Sequence, residues 1–177
     1  MEFVCFDSVN WIGNGCLIPS GPLRENLSSL KKYDGVFLKG EDGNIKEIIS
    51  QIKKENKDIL VFRTCYYPIN LKKFDISKRY LMFCGIGKPD DFKNILLKNN
   101  FDIVDEIIYP DHHDYSENDF YKIKKKANFF NAKIITTEKD FVKIPKNYRE
   151  NINFLEINLK VEEEDKLISY LKSKINE

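Results

Sequence analysis

"RYLMFCGIGKPDDFKNILLKNNFDIVDEIIYP", Arg79 to Pro110, carries the pattern that sets the fold. "YLMFC" is a short apolar run bounded by a glycine turn, which reads as a buried strand. "KPDDFKNILLKNN" has apolar residues at helical spacing, Pro89 early, and Asp90 and Asp91 suited to the positive end of a helix. "FDIVDEIIYP" is again strand-like and runs into the polar cluster "PDHHDYS". Strand, helix and strand at this spacing predict a parallel pair joined by a crossover helix.

The same alternation extends both ways. Upstream, "FVCFDS" and "GVFLKG" read as strands, "RENLSSLKKY" as a short helix, "GNIKEIISQIKKENK" as an amphipathic helix, and "DILVFRTCYYPINL" as extended. Downstream, Ser116 caps the helix "ENDFYKIKKKANFFN". "AKIITTEKD" is a strand and turn, "FVKIP" a short helical piece, "INFLEINLKV" one final strand, and "EEEDKLISYLKSKINE" a final helix. The expected fold is an α/β/α sandwich: one mostly parallel sheet flanked by helices, a single domain over residues 1–177.

Composition narrows the class. At 177 residues, 42% hydrophobic and 32% charged, the chain is a globular domain with a proper core. Its apolar runs are too short to span a bilayer. The start, "MEFVCFDSV", has no basic region of the kind that opens a signal peptide. A net charge of +1 with interspersed signs argues against a nucleic-acid partner. Cys5, Cys16, Cys65 and Cys84 show no metal spacing and read as reduced core thiols.

In doubly wound sheets ligands gather beyond the carboxyl ends of the strands, and four polar loops are expected there. The first, "GNGCLIPSGPLREN" (Gly13–Asn26), is longer than a connection needs. It places a guanidinium, Arg24, in a chain where lysine is the usual cation. An arginine fork grips phosphate or carboxylate bidentately. The bland alternative for Arg24 and Glu25 is a surface ion pair of little energy.

"GIGKPDDF" (Gly85–Phe92) fails as a Walker loop, because Met82 replaces the first glycine and Pro89 the magnesium-binding Ser or Thr. As a dinucleotide fingerprint it lacks the third glycine, although Asp105 and Glu106 stand about twenty residues on, where a ribose-binding acid belongs. A plain strand-to-helix turn explains it better. "YPDHHDY" (Tyr109–Tyr115) contains both histidines of the chain. A metal site, an imidazole in acid–base work oriented by a carboxylate such as Asp111, and an ordinary helix entry all stay open. "TTEKD" (Thr136–Asp140) reads as a helix cap presenting Lys139 and Asp140.

Taken together, "DS…GNGCLIPSGPLRE", "GIGKPDDF", "YPDHHDY" and "TTEKDFVKI" resemble, in order and spacing, the tetraacyldisaccharide 4'-kinases. These ATP-dependent enzymes phosphorylate the lipid A disaccharide precursor at the inner membrane of Gram-negative bacteria. The first loop is similar to the family's "GNG…PAGPLRE", with Ser20 at the usual alanine. The resemblance covers only the C-terminal half of such enzymes. It implies that the P-loop, a catalytic aspartate, the magnesium-binding "DDG" carboxylates and the membrane-associating segment belong to an N-terminal half, with Met1 falling just downstream of "DDG".

By the resemblance, His112 matches the histidine that pairs with the catalytic aspartate, and Arg24 and Glu25 match residues facing the phosphates and the disaccharide. Asn14 holds the loop or touches substrate. Asp111, His113, Lys139 and Asp140 are supporting residues. ATP and Mg2+ are implied for the complete enzyme, with neither bound tightly by these residues alone and no metal site among them. The implied partners are an acylated disaccharide lipid and the P-loop half, the implied place the cytoplasmic face of the inner membrane. The isolated chain is expected to be inactive. Two other readings are a non-catalytic module binding the acylated disaccharide or a partner, and a small dinucleotide-binding domain built on Gly85 and Gly87.

Overall fold

A computed structural model describes residues 1–40 and 44–175. The expected helix start at Gly43 and the last residues, Asn176 and Glu177, lie outside the described residues. The chain forms two compact units, Met1–Tyr66 with Leu159–Glu177, and Tyr67–Asn158. The strands divide into two four-stranded sheets where one was expected.

The first unit contains β1 (Phe3–Asp7), β2 (Gly35–Lys39), α1 (Ile45–Glu55), β3 (Leu60–Pro68), β8 (Ile157–Val161) and α5 (Glu164–Ile175). Its sheet order is β1-β2-β3-β8, with β1, β2 and β3 parallel. Successive side chains of a strand point to opposite faces, and β2 uses both. Val36 and Leu38 pack with Ile45, Ile48 and Ile52 of α1. Phe37 stacks between Phe3 and Phe62, at 5.3 and 5.7 Å between ring centroids. From α5, Tyr170 meets Phe3 edge-on at 6.3 Å, and its hydroxyl donates to Asp34 at 2.8 Å. The expected helix "RENLSSLKKY" is a 3-10 segment, Leu27–Lys32.

The second unit holds β4 (Arg79–Cys84), α2 (Pro89–Lys98), β5 (Asp102–Ile108), α3 (Glu117–Phe129), β6 (Lys133–Thr137), α4 (Glu138–Lys143) and β7 (Ile152–Leu155). Its order is β5-β4-β6-β7, parallel throughout. Tyr80, Met82 and Cys84 of β4 face one core with Phe92 and Leu96 of α2. Leu81 and Phe83 face the other with Phe120 and Ile123 of α3. An all-apolar strand is required here because helices cover both faces. Pro89 takes the first position of α2, followed by Asp90 and Asp91 in its first turn.

The expected final strand "INFLEINLKV" is two strands. β7 joins β6 in the second sheet, and β8 joins β3 in the first. Between them, Glu156 accepts from the Asn70 side chain at 3.2 Å and donates its own N–H back to Asn70 at 3.0 Å. The stretch holds no Gly or Pro to end a strand, and nothing local marks which neighbour each half will pair with, so the break at Glu156 was not read.

The cysteines correct the expectation of core thiols. Cys5 and Cys16 are exposed, Cys65 is intermediate, and only Cys84 is buried. Burial and the charge of Asp140 push the Cys84 thiol up to about 12.

Candidate functional site

The site residues fall into two groups, one in each unit. In the first unit, the segment after β1 is a self-bonded loop. Gly13 and Gly15 have positive φ of 57° and 74°, which glycine adopts without steric penalty. Backbone bonds Ile18→Leu23 (2.8 Å), Leu23→Cys16 (3.2 Å) and Gly21→Leu17 (3.0 Å) fold it back on itself. Asn14 closes it: its amide donates to the Ser20 carbonyl at 2.8 Å, and its oxygen accepts from the Cys16 N–H at 3.1 Å. Gly21 sits so close to Asn14 and the Cys16 carbonyl that a Cβ would collide with both.

The loop delivers Arg24 and Glu25 to a cleft of about 530 Å³ whose lining also includes Phe6, Asp7 and Trp11. Trp11 is fixed by Phe6, 4.8 Å away, and by donating to Gln51 at 2.8 Å. Arg24 and Glu25 are both exposed. A fork-shaped cation and a carboxylate stand open to solvent at a concave surface.

In the second unit, the loops after β4, β5 and β6 meet. Asp111 and His112 follow β5, with the His112 Nε2 3.7 Å from Asp111 Oδ2. Lys139, in the first turn of α4, reaches Asp111 Oδ1 at 3.3 Å. The contacts of Lys139 and His112 hold the Asp111 carboxyl below its usual range against the opposing pull of burial. His112 is 75% exposed at its side chain, whereas His113 is 26% exposed and turned inward. Residue types and spacing alone left the two imidazoles equivalent, and only the resemblance set His112 first; in the structure their exposures differ.

Asp140 is fully buried. It accepts from the Gly85 N–H at 3.0 Å and the Thr137 hydroxyl at 2.7 Å, joining the end of β4 to the start of α4. The cap expected in "TTEKD" is formed by Thr137, which accepts from the Asp140 N–H at 3.1 Å at the start of α4. Lys143 lies 3.6 Å from the other Asp140 oxygen. Asp140 is a bracket under the site and is not presented to solvent.

Gly85 and Gly87 are accounted for by packing. A Cβ on Gly85 would lie 3.1 Å from the Pro110 carbonyl, and one on Gly87 3.3 Å from Asp111 Oδ2. The "PDHH" loop leans on them, which removes the need for a dinucleotide. Asp105 and Glu106, offered as ribose ligands, are paired with Lys126 at 2.9 Å and Lys93 at 3.0 Å. Among the described residues no three His, Cys, Asp or Glu side chains gather as a metal site would need. No helix among them is long and apolar enough to cross a membrane.

Sequence reasoning missed Asp119. Its Oδ2 accepts from the Ser116 N–H at 2.9 Å and hydroxyl at 2.7 Å, and meets His113 Nε2 at 3.1 Å. The spacing Ser116-x-x-Asp119 was a readable capping-box signal. The histidine contact was not.

Known proteins resemble this chain along nearly its whole length. A profile described as Tetraacyldisaccharide-1-P 4'-kinase matches residues 1–176. The Tetraacyldisaccharide 4'-kinase of Pelagibacter ubique (strain HTCC1062) is 42% identical over 177 residues, covering 100% of this chain and 56% of that protein. The enzyme of the same name from Rhodopseudomonas palustris (strain BisB5) is 28% identical over 180 residues, covering 99% and 53%. The crystal structure of LpxK from Aquifex aeolicus in complex with ATP shares the fold, with a TM-score of 0.64 at 20% identity over 98% of this chain and 52% of that one. The chain spans about half the length of these relatives. Four loop motifs in register and a profile match along nearly the whole sequence place it: the chain belongs to the tetraacyldisaccharide-1-P 4'-kinase family.

Proposed function

We propose that these residues form the C-terminal part of an ATP-dependent lipid kinase that phosphorylates the 4'-position of a tetraacyldisaccharide 1-phosphate in lipid A synthesis. The observation that carries this is the exposed His112, held beside Asp111 and Lys139 on a loop that resembles the family's motif. Its assigned role is to pair with an aspartate from the P-loop half and tune that group as it takes the proton of the sugar hydroxyl. Arg24 braces phosphate oxygens, and Glu25 accepts hydrogen bonds from the sugar. Both polar atoms of Asn14 are used inside the loop, so of its two expected roles we assign it loop shaping. His113, Lys139 and Asp140 support the site.

The donors present do not fit a magnesium nucleotide by themselves. The sequence has no G-x-x-x-x-G-K-[ST] loop to cradle phosphates. ATP and Mg2+ belong in this reading to the joint enzyme, working at the cytoplasmic face of the inner membrane. What these residues contribute is orientation and charge, which phosphoryl transfer mainly needs.

The test combines this chain with the P-loop half of a relative and follows phosphate transfer from ATP to the acylated disaccharide. The chain alone should give no product, and the mixture should give it. H112A should lower kcat in the mixture by roughly 10²–10⁴-fold, and R24A by roughly 10²–10³-fold. Turnover by the chain alone would overturn the division of labour. Substrate binding without transfer in an assembled mixture would favour the non-catalytic module.

A further inference from the structure

His112 has φ of +61°, a left-handed conformation unfavourable for a bulky side chain. Such a residue persists only where its surroundings over-determine it, and here both neighbours are clamped. On one side, Asp111 accepts from the His112 N–H at 3.0 Å, contacts Lys139, and lies against Gly87. On the other, the His113 ring stacks on Tyr109 at 4.5 Å and 19°, and stands edge-on to Tyr115 at 5.1 Å. Its Nε2 meets Asp119 Oδ2 at 3.1 Å, and Asp119 is anchored in turn by Ser116 at the start of α3. The His113 N–H donates to the Pro110 carbonyl at 3.2 Å, closing the turn.

We propose that His113 and Asp119 are positioning residues: pulled inward by the carboxylate and the aromatic stack, His113 forces the backbone at His112 into the turn that presents its imidazole outward. The bracket links the start of a helix to the end of a strand, so the exposed ring is aimed by rigid elements and not by loop chance. This role rests on the reading of His112 as the acid–base partner. The geometry of the bracket is testable without it.

The measurement is the set of NMR backbone couplings that report the sign of φ at residue 112, taken on the full 177-residue chain with melting curves alongside. In D119N and H113A, still folded, residue 112 should leave the left-handed region and average over right-handed and extended states. S116A is the graded variant. It removes the Ser116 hydroxyl from Asp119 but leaves the Ser116 N–H and His113 on the same oxygen, so residue 112 should loosen less than in D119N. If D119N does not fold, H113F keeps the stack on Tyr109, removes only the Nε2 contact, and should loosen residue 112 likewise. A positive φ retained in the folded bracket variants, or an equal loss in S116A, would overturn the proposal. In the mixed kinase, D119N should lower kcat by roughly ten- to a hundredfold with KM unchanged; an unchanged kcat would count against it. If the mixture itself shows no transfer, the kinase reading fails while the NMR result still decides the bracket.

Discussion

Arg24 and Gly21 show how differently two residues of one loop are constrained. In the proposed role Arg24 presents a planar fork that lysine cannot copy. R24K should therefore lose most of the activity that R24A loses in the mixed kinase, with the melting temperature unchanged. Gly21 is chosen for what it lacks. G21A places a methyl group into Asn14 and the Cys16 carbonyl, so the loop must open. Protease cleavage within residues 13–26 should rise while the rest of the chain stays intact, and binding of the proposed disaccharide substrate should fall. His112 is a third case, strained for its position. H112G should raise stability by about 1 kcal/mol, read from denaturant melts, because glycine adopts φ of +61° freely. The same variant abolishes the proposed chemistry.

At the scale of elements, β4 and α3 are the two that the site depends on. Phe83 is fully buried between β4 and α3, and F83A should cost about 3–5 kcal/mol through lost contacts and the cavity left behind. The start of α3 adds a pH dependence. The Ser116 N–H and hydroxyl, and then His113, hold Asp119 at about 2, below its ordinary 3.8. A carboxylate lowered on folding adds stability that is complete above its unfolded value and vanishes as pH falls through the folded one. Melting temperatures of wild type and D119N should therefore differ fully above about pH 4 and converge toward pH 2. The break between β7 and β8 belongs to this scale as well, since one continuous strand-like run serves two sheets.

For the whole molecule, the division into units makes an asymmetric prediction. Tyr67–Asn158 is continuous in sequence, whereas the first unit is assembled from Met1–Tyr66 and Leu159–Glu177. An excised 67–158 fragment should fold cooperatively. An excised 1–66 fragment should not, because β8 and the Tyr170 contacts with Phe3 and Asp34 come from the distant segment. Thiol labelling tests the packing: Cys5 and Cys16 should react quickly at neutral pH, Cys65 more slowly, and Cys84 only on unfolding.

Much of this protein is written locally. The all-apolar "YLMFC", the proline and aspartates opening α2, and the glycines of the first loop specify element types through steric and hydrogen-bonding rules that act within a few residues. The family is written in four short motifs for the same reason: each loop needs its own backbone geometry. The sequence set His112 above His113 only through the family resemblance, and it could not show Asp119 reaching back to the loop or reveal Asp140 as a buried bracket. Nor could it divide the strands between two sheets. Those outcomes depend on which distant groups meet, and an apolar or acidic residue carries no label for a partner brought beside it only by the folded chain.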